Sequence, residues 1–321
     1  MKIVMVEKYN IRTDLALEQK ERFETDDVEV SGVILEESYD EENEIRVTTV
    51  RIETENGAKV MGKPVGTYIT IEAPSLALPD EEFHSEVSEK IKEFIEKMLP
   101  NTNGQKKVLV VGLGNRQVTP DALGPYVVDN LFVTRHIFLE YGKYAMENTE
   151  CVSAIVPGVM GQTGMETVEI IKGVVSETKP DAVIVVDALA ARSSKRLNRT
   201  IQIADTGIHP GSGVGNHRNA ITKETLGIPV IALGVPTVID AATIANDTME
   251  NFLRELEHSE RMKGISVVMQ GYSSQEKYEL IKDLIHPCLH GMFVTPKDID
   301  ETVKNLSYTI SEGLNKLFAG N

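Results

Sequence analysis

Cysteine is scarce: the 321 residues hold only Cys151 and Cys288, far apart along the chain. That scarcity excludes a disulfide framework and a zinc site built on closely spaced thiols, and it fits a reducing interior. Basic residues are in deficit too, with 33 Lys and Arg against 49 Asp and Glu, a formal net charge of −16. A surface of that sign repels phosphate backbones and acidic lipid, so neither nucleic acid nor membrane is expected as a partner. Long apolar runs are missing. Ile3-Val4-Met5-Val6 is shorter than the hydrophobic part of a secretion signal and leads into Glu7, Lys8 and Arg12, so a cytoplasmic protein is expected. Val108-Leu109-Val110-Val111 and Ala182-Val183-Ile184-Val185-Val186 fall well short of the ~20 apolar residues that cross a bilayer and read as buried strands. No internal repeat is visible.

What is present suffices for a large core, since 41% of the residues are hydrophobic. The first 60 residues are set apart by charge: 16 Asp and Glu against 8 Lys and Arg, half the net charge of the chain. Past residue 27 apolar and polar residues alternate, as in Val28-Glu29-Val30 and Ile45-Arg46-Val47, around a turn at residues 39–43. This predicts a β-meander over residues 15–78 whose carboxylates cover a solvated surface. At Thr48-Thr49 the apolar phase slips by one residue, which implies a bulge or a change of exposed face. After Pro79-Asp80, the spacing of Phe83, Val87, Ile91, Phe94 and Met98 predicts a helix ending before Pro100.

From residue 104 the pattern becomes buried apolar strands alternating with amphipathic helices. It predicts an α/β fold over residues 79–321, a mostly parallel sheet with helices on both faces, joined to the β-rich region in one unit. Strands are expected near residues 107–112, 151–156, 181–187, 200–204, 229–234 and 266–270. Helices are expected near 125–135, 164–177, 240–256, 275–284 and 296–317, the last with Thr295 as N-cap and Pro296 at its first position.

In such a sheet functional groups gather beyond the carboxyl ends of strands. The first parallel strand runs into Gly112-Leu113-Gly114-Asn115 and reaches Asp121-Ala122-Leu123-Gly124-Pro125 through a polar loop. A dinucleotide site is excluded, because its third glycine would stand at Gln117 and Pro120 and Pro125 break the helix that should follow. A second strand ends in Val186-Asp187-Ala188-Leu189-Ala190-Ala191-Arg192. A lone Asp at a strand end is ordinarily a turn former. Two brought together would share one proton, and such a pair hydrolyses amides: the ionised member draws a proton from water while the other protonates the leaving amine. The sequence leaves open which Asp has which role.

These segments, with His209-Pro210-Gly211-Ser212-Gly213-Val214-Gly215-Asn216, resemble the germination protease family over nearly the whole chain. The resemblance implies an endopeptidase of the spore core that degrades small acid-soluble spore proteins, is made as a zymogen and assembles as a homotetramer. It matches the two proposed catalytic aspartates to Asp121 and Asp187; no cofactor is expected, and no closely spaced ligand motif points to a resident metal. It also implies a fold shared with hydrogenase maturation proteases, phosphorylase/hydrolase-like, whose similar loop begins Gly-x-Gly-Asn and delivers an acid. The family cuts after an acidic residue followed by a bulky apolar residue, Ala and, two further on, Glu. Asp14-Leu15-Ala16-Leu17-Glu18 has that form, with Asp for the usual Glu and Leu17 for a small polar residue. Residues 1–14 are therefore expected to be a propeptide, removed by self-cleavage between Asp14 and Leu15.

An acidic residue at the cut needs a cation, for which Arg116 and Arg192 are candidates, each equally able to pair with a local carboxylate. Asn115 and His209 are the other expected substrate contacts, and the turns at residues 157–164, 234–237 and 270–272 are expected as walls. Two alternatives stand beside this reading: a maturation-type metal site of Asp121, Asp187 and His209, and a non-catalytic assembly protein of the same fold. Gly112–Asn115 also resembles the opening of peptidyl-tRNA hydrolases, but those need tRNA affinity and a catalytic His soon after the loop. This acidic chain has only His136 nearby.

Overall fold

The alternating segment forms a hairpin of β1 (Val33–Asp40) and β2 (Ile45–Ile52). The computed structural model describes residues 15–18, 31–102, 104–142, 145–211, 218–257, 276 and 291–319. The phase slip at Thr48-Thr49 is a change of face without a bulge, since the β1–β2 register runs unbroken from Val33↔Ile52 to Asp40↔Ile45. Ile45 and Val47 enter the main core, whereas Val50 and Ile52 join a smaller cluster with Ala16, Met61, Tyr68 and Ala204 on the opposite face. One strand thus buries different faces in its two halves, because each half is covered from a different side.

The remaining strands are β3 (Gly66–Glu72), β4 (Lys107–Gly112), β5 (Cys151–Ile155), β6 (Ala182–Ala191), β7 (Thr200–Ala204), β8 (Val230–Asp240) and β9 (Phe293–Val294). They form one mixed sheet in the order β1-β2-β3-β7-β8-β6-β4-β5, with β9 paired to β8. Its parallel part is β8-β6-β4-β5, and β7 runs antiparallel to both β8 and β3. The hairpin strands therefore extend the same sheet.

The helices are α1 (Glu55–Met61), α2 (Glu81–Met98), α3 (Leu123–Asp129), α4 (Arg135–Tyr141), α5 (Met160–Thr163), α6 (Thr167–Thr178), α7 (Lys223–Leu226), α8 (Ala241–Glu257) and α9 (Ile299–Phe318). One face of the sheet is covered by α2, α3 and α9, whose Val87, Ile91, Leu123, Val127, Val303, Leu306 and Ile310 are fully buried in the main core. The other face carries α6, with Val168 and Ile171 against Leu109, Val111, Val183 and Val185. Each such side chain contributes about 1.5–3 kcal/mol by leaving water.

Boundaries depart from expectation at several places. The strands expected at 181–187 and 229–234 run on to Ala191 and Asp240, paired to each other, so Asp187 lies within β6 and not at a strand end. The loop between β2 and β3 contains α1, capped by Thr54, whose Oγ1 accepts from the N–H of Gly57 at 3.0 Å. The helix expected at 125–135 ends at Asp129. The C-terminal helix begins at Ile299 with Asp298 as N-cap, and Thr295 instead donates its hydroxyl to the carbonyl of Thr237 at 2.8 Å, which ties the approach to that helix to β8. The strand expected at 266–270 and all of the helix expected at 275–284 except Glu276 lie outside the described residues. Among the described residues no helix is long and apolar enough to cross a membrane.

Candidate active site

Strands β4 and β6 are parallel neighbours paired as far as Gly112 opposite Val186, where β4 ends while β6 runs on beside β8 to Ala191. Asp187 is thus the first residue of β6 beyond the end of β4, and the loop that follows β4 leaves the sheet beside it. The N–H of Leu113 still bonds the carbonyl of Val186 at 2.8 Å, and then the loop turns back on itself. Gly114 permits the turn: its φ is 109°, and a Cβ there would lie 1.9 Å from the carbonyl oxygen of Asp121. Gly124 permits the return, because a Cβ there would come within 2.6 Å of the carbonyl of Val186, the residue before Asp187. A 3-10 turn at Thr119–Asp121 is pinned from β8 by the hydroxyl of Thr237, which donates to the carbonyl of Pro120 at 2.7 Å.

These close backbone approaches bring Asp121 and Asp187 into the lining of one cleft of about 430 Å³. The Gly158–Met160 turn, Pro210, Gly211, Thr237 and Phe293 complete its walls, together with Arg218. The Asp187 side of the cleft is the drier: that residue is 6% exposed, and its Oδ1 accepts from the N–H of Ala188 at 3.0 Å. Asp121 is half-buried, with Oδ2 accepting from the N–H of Asn115 at 2.7 Å. Burial pushes the Asp121 carboxyl above the usual range, and the Asn115 N–H opposes this without overcoming it. A carboxyl that holds its proton more tightly than usual, in one cleft with a second acid, suits paired acid–base work on a carbonyl.

The other expected site residues are distributed around this cleft. The side chain of Asn115 accepts from the N–H of Gln117 and from Nε2 of Gln162, both at 3.0 Å, and so joins the loop to the 157–164 turn. Arg116 turns away and makes a two-pronged ion pair with Asp129 on α3, over the ring of Tyr126. Arg192 is absent from the cleft lining; its backbone N–H donates to Glu18 at 2.9 Å. His209 lines a smaller adjoining pocket with Tyr68, Leu189 and Gln202. Among the described residues no three His, Cys, Asp or Glu side chains are grouped closely enough to hold a metal ion, so Asp121, Asp187 and His209 are not gathered as the alternative metal reading requires. Of the expected walls, 157–164 and 234–237 contribute to the cleft, and 270–272 lies outside the described residues.

Asp14 is likewise outside the described residues, but Leu15 to Glu18 are seated. Leu15 and Ala16 are 0% exposed and Glu18 is 2% exposed. The N–H of Ala16 donates to Oε1 of Gln202 at 2.7 Å. The Glu18 carboxylate accepts from the backbone N–H groups of Arg192 and Ser193, each at 2.9 Å, and faces Arg196, which also binds Glu72. Neither Arg196 nor Arg218 was singled out from sequence. The one signal for Arg218 is its position just after the Gly-rich 209–216 loop.

The germination protease family model matches residues 10–270. The chain belongs to the germination protease family. Relatives called germination protease agree over nearly full length. The one from Caldanaerobacter subterraneus subsp. tengcongensis is 49% identical over 97% of this chain and 95% of its own, and the one from Clostridium perfringens is 47% identical over 96% and 94%. That from Bacillus subtilis is 42% identical over 97% and 94%. A NiFe hydrogenase maturation protease from Thermococcus kodakarensis overlaps at TM-score 0.27, with 21% identity over 42% of this chain and 76% of that one, which is too slight a likeness to carry any inference. As a member of the germination protease family the chain is a peptidase, and both acids of the cleft lie within the matched span.

Proposed function

We propose that this member of the germination protease family is an aspartic-type endopeptidase that starts the breakdown of small acid-soluble spore proteins in the spore core. The observation that carries the reading is one cleft with two carboxyls in its lining, one of them held above the ordinary pKa range by burial. In this reading Asp121 enters the reaction protonated and hydrogen-bonds the substrate carbonyl oxygen. Asp187, ionised, takes a proton from the attacking water, and the proton of Asp121 passes to the departing amine. The turns bounding the cleft hold the peptide across the two acids.

The chain is made as a zymogen in this account, and Asp14-Leu15 is the bond it cuts in itself. The buried seat of Leu15 to Glu18 supports retention of the new terminus on the body of the enzyme after the cut. A homotetramer is the assembly proposed, to be checked by light scattering.

The deciding experiment incubates a small acid-soluble spore protein with wild type, Asp121→Asn and Asp187→Asn, each with and without a chelator. Both variants should lose about 10²- to 10⁴-fold in cleavage rate, the range of one general acid or base, and chelator should leave the wild-type rate intact. Undiminished cleavage by either variant, or abolition by chelator alone, would overturn the acid-pair mechanism. Mass spectrometry of protein held under activating conditions should find a chain starting at Leu15; a persistently intact Met1 would refute the self-cleavage.

A further inference from the structure

We propose that Arg218 reads a carboxylate side chain of the substrate beside the bond being cut, which makes the cleft selective for acidic peptides. The proposal rests on the peptidase reading and assigns its specificity to a residue that neither the chain order nor the acid pair points to. Among the described residues lining the cleft, Arg218 is the single cation, and Asp121 and Asp187 are the only acids. The sequence placed the expected cation at Arg116 or Arg192. The first is committed to Asp129 by both terminal nitrogens, and the second does not reach the cleft lining.

The guanidinium of Arg218 is weakly engaged. Its Nη1 lies 4.0 Å from Oε1 of Glu166, the outer limit of an ion pair, and 3.2 Å from Sδ of Met160, a poor acceptor. Its side chain is 32% exposed. By contrast, Arg196 is 10% exposed and bound between Glu18 and Glu72. A guanidinium carries five donors in a planar fork that fits a carboxylate two-pronged, and at Arg218 most of that capacity is unspent.

Arg218 makes no ion pair with Asp121 or Asp187, and this matters to the chemistry. A guanidinium in contact with either acid would hold it ionised and remove the shared proton on which the pair depends. The pKa of Asp121 is instead governed by burial and the Asn115 N–H. The cation therefore stands within the cleft yet apart from the proton, which is where a substrate carboxylate can be met without disturbing the acids. Net charge makes a local cation necessary, because a chain at −16 repels an acidic peptide at long range. An acidic side chain entering beside two Asp residues needs a partner there, and Arg218 is the one the cleft offers.

The test compares three peptides identical except for Glu, Gln or Lys at the residue before the cut bond, with wild type, Arg218→Gln, Arg218→Lys and Arg218→Glu. Wild type should prefer the Glu peptide over Gln, and Arg218→Gln should reduce that ratio of kcat/KM about 10- to 100-fold, chiefly through KM, as loss of a charge-assisted contact does. Arg218→Lys should restore part of the ratio, and Arg218→Glu should shift preference toward the Lys peptide. A fall equal for Glu and Gln peptides would make Arg218 a general catalytic or structural residue and overturn the proposal. So would an unchanged ratio, or a wild type indifferent to the Glu-to-Gln change. If Arg218→Gln does not fold by thermal unfolding, Arg218→Glu decides: a shift of preference from the Glu to the Lys peptide supports the proposal, and an undiminished Glu preference refutes it. The two readings fail separately. Cleavage of Glu and Gln peptides at one rate, abolished in Asp121→Asn, sinks only the role of Arg218; no cleavage of any peptide sinks the peptidase reading and this one together.

Discussion

At Asp121 two effects act on one carboxyl group: burial disfavours its charge, and the N–H of Asn115 favours it. Burial wins, so the native state binds a proton here that the unfolded chain would have released. For a carboxyl whose folded pKa lies above its unfolded one, stability falls as pH rises through that window, and the cost vanishes below the ordinary carboxylate range. Asp121→Asn keeps an acceptor for Asn115 and cannot ionise. It should be more stable than wild type at neutral pH in urea unfolding and lose that advantage in acid, while losing peptide cleavage; equal stability at both pH values would remove the burial argument. Gly114 is under tighter constraint, with φ 109° and no room for a Cβ against Asp121. Gly114→Ala should cost roughly 1–3 kcal/mol in strain and lower kcat by displacing the acid, and a variant with wild-type melting and kcat would disprove the constraint. Asp121 and Asp187 were legible because each follows an apolar run, Asp121 through a polar loop and Asp187 directly, although Asp187 lies within β6 and not at its end. Arg218 was not. Sequence reasoning assigned the cation by nearness along the chain, five residues from either acid, whereas in space Arg116 pairs with Asp129 on α3 and the cation in the cleft lining is Arg218.

The elements show the same difference between local and distant information. The pattern of α2 was readable because its inward positions recur in one helix, and Asp80 caps it through the N–H of Phe83 at 3.1 Å. The strands β4, β6 and β8 were readable as apolar runs. That β7 runs antiparallel between β3 and β8 was not, because direction is decided by partners far away in the sequence. Thr295 was a good cap by type, yet its hydroxyl is worth more to the Thr237 carbonyl, a contact 58 residues distant. The seat of Leu15 to Glu18 is the strongest instance: four residues read as the start of the chain left after the leader are packed into the molecule by groups more than 170 positions away. Glu18→Ala should expose the worth of that seat, since it leaves the N–H groups of Arg192 and Ser193 without their carboxylate. A loss of about 2–6 kcal/mol is expected, from about 1–3 for each of the two abandoned donors, with Arg196 retaining Glu72. Denaturant unfolding checks it, and a midpoint equal to wild type would mean the segment contributes nothing.

For the whole molecule the governing quantity is the net charge of −16, half of it carried by the first 60 residues. Like charges spread over one compact body repel, and salt weakens that repulsion together with every exposed attraction, so the sign of the salt response depends on which is larger. The exposed pairs are modest: Arg51–Glu36 and Lys97–Glu93 are each about half exposed on both sides. Such pairs are typically worth about 0–1 kcal/mol. The pairs with more at stake, Arg196 with Glu18 and Glu72, are largely sheltered from ions. Screening should therefore remove more repulsion than attraction. Raising salt from about 0.01 M to about 0.15 M, which shortens the Debye length from ~30 Å to ~8 Å, should raise the melting temperature. The same increment should do less near pH 5.0, the sequence isoelectric point, where the excess charge is gone. A melting temperature that falls with salt at neutral pH would mean that surface pairing, rather than self-repulsion, dominates the electrostatics of this fold.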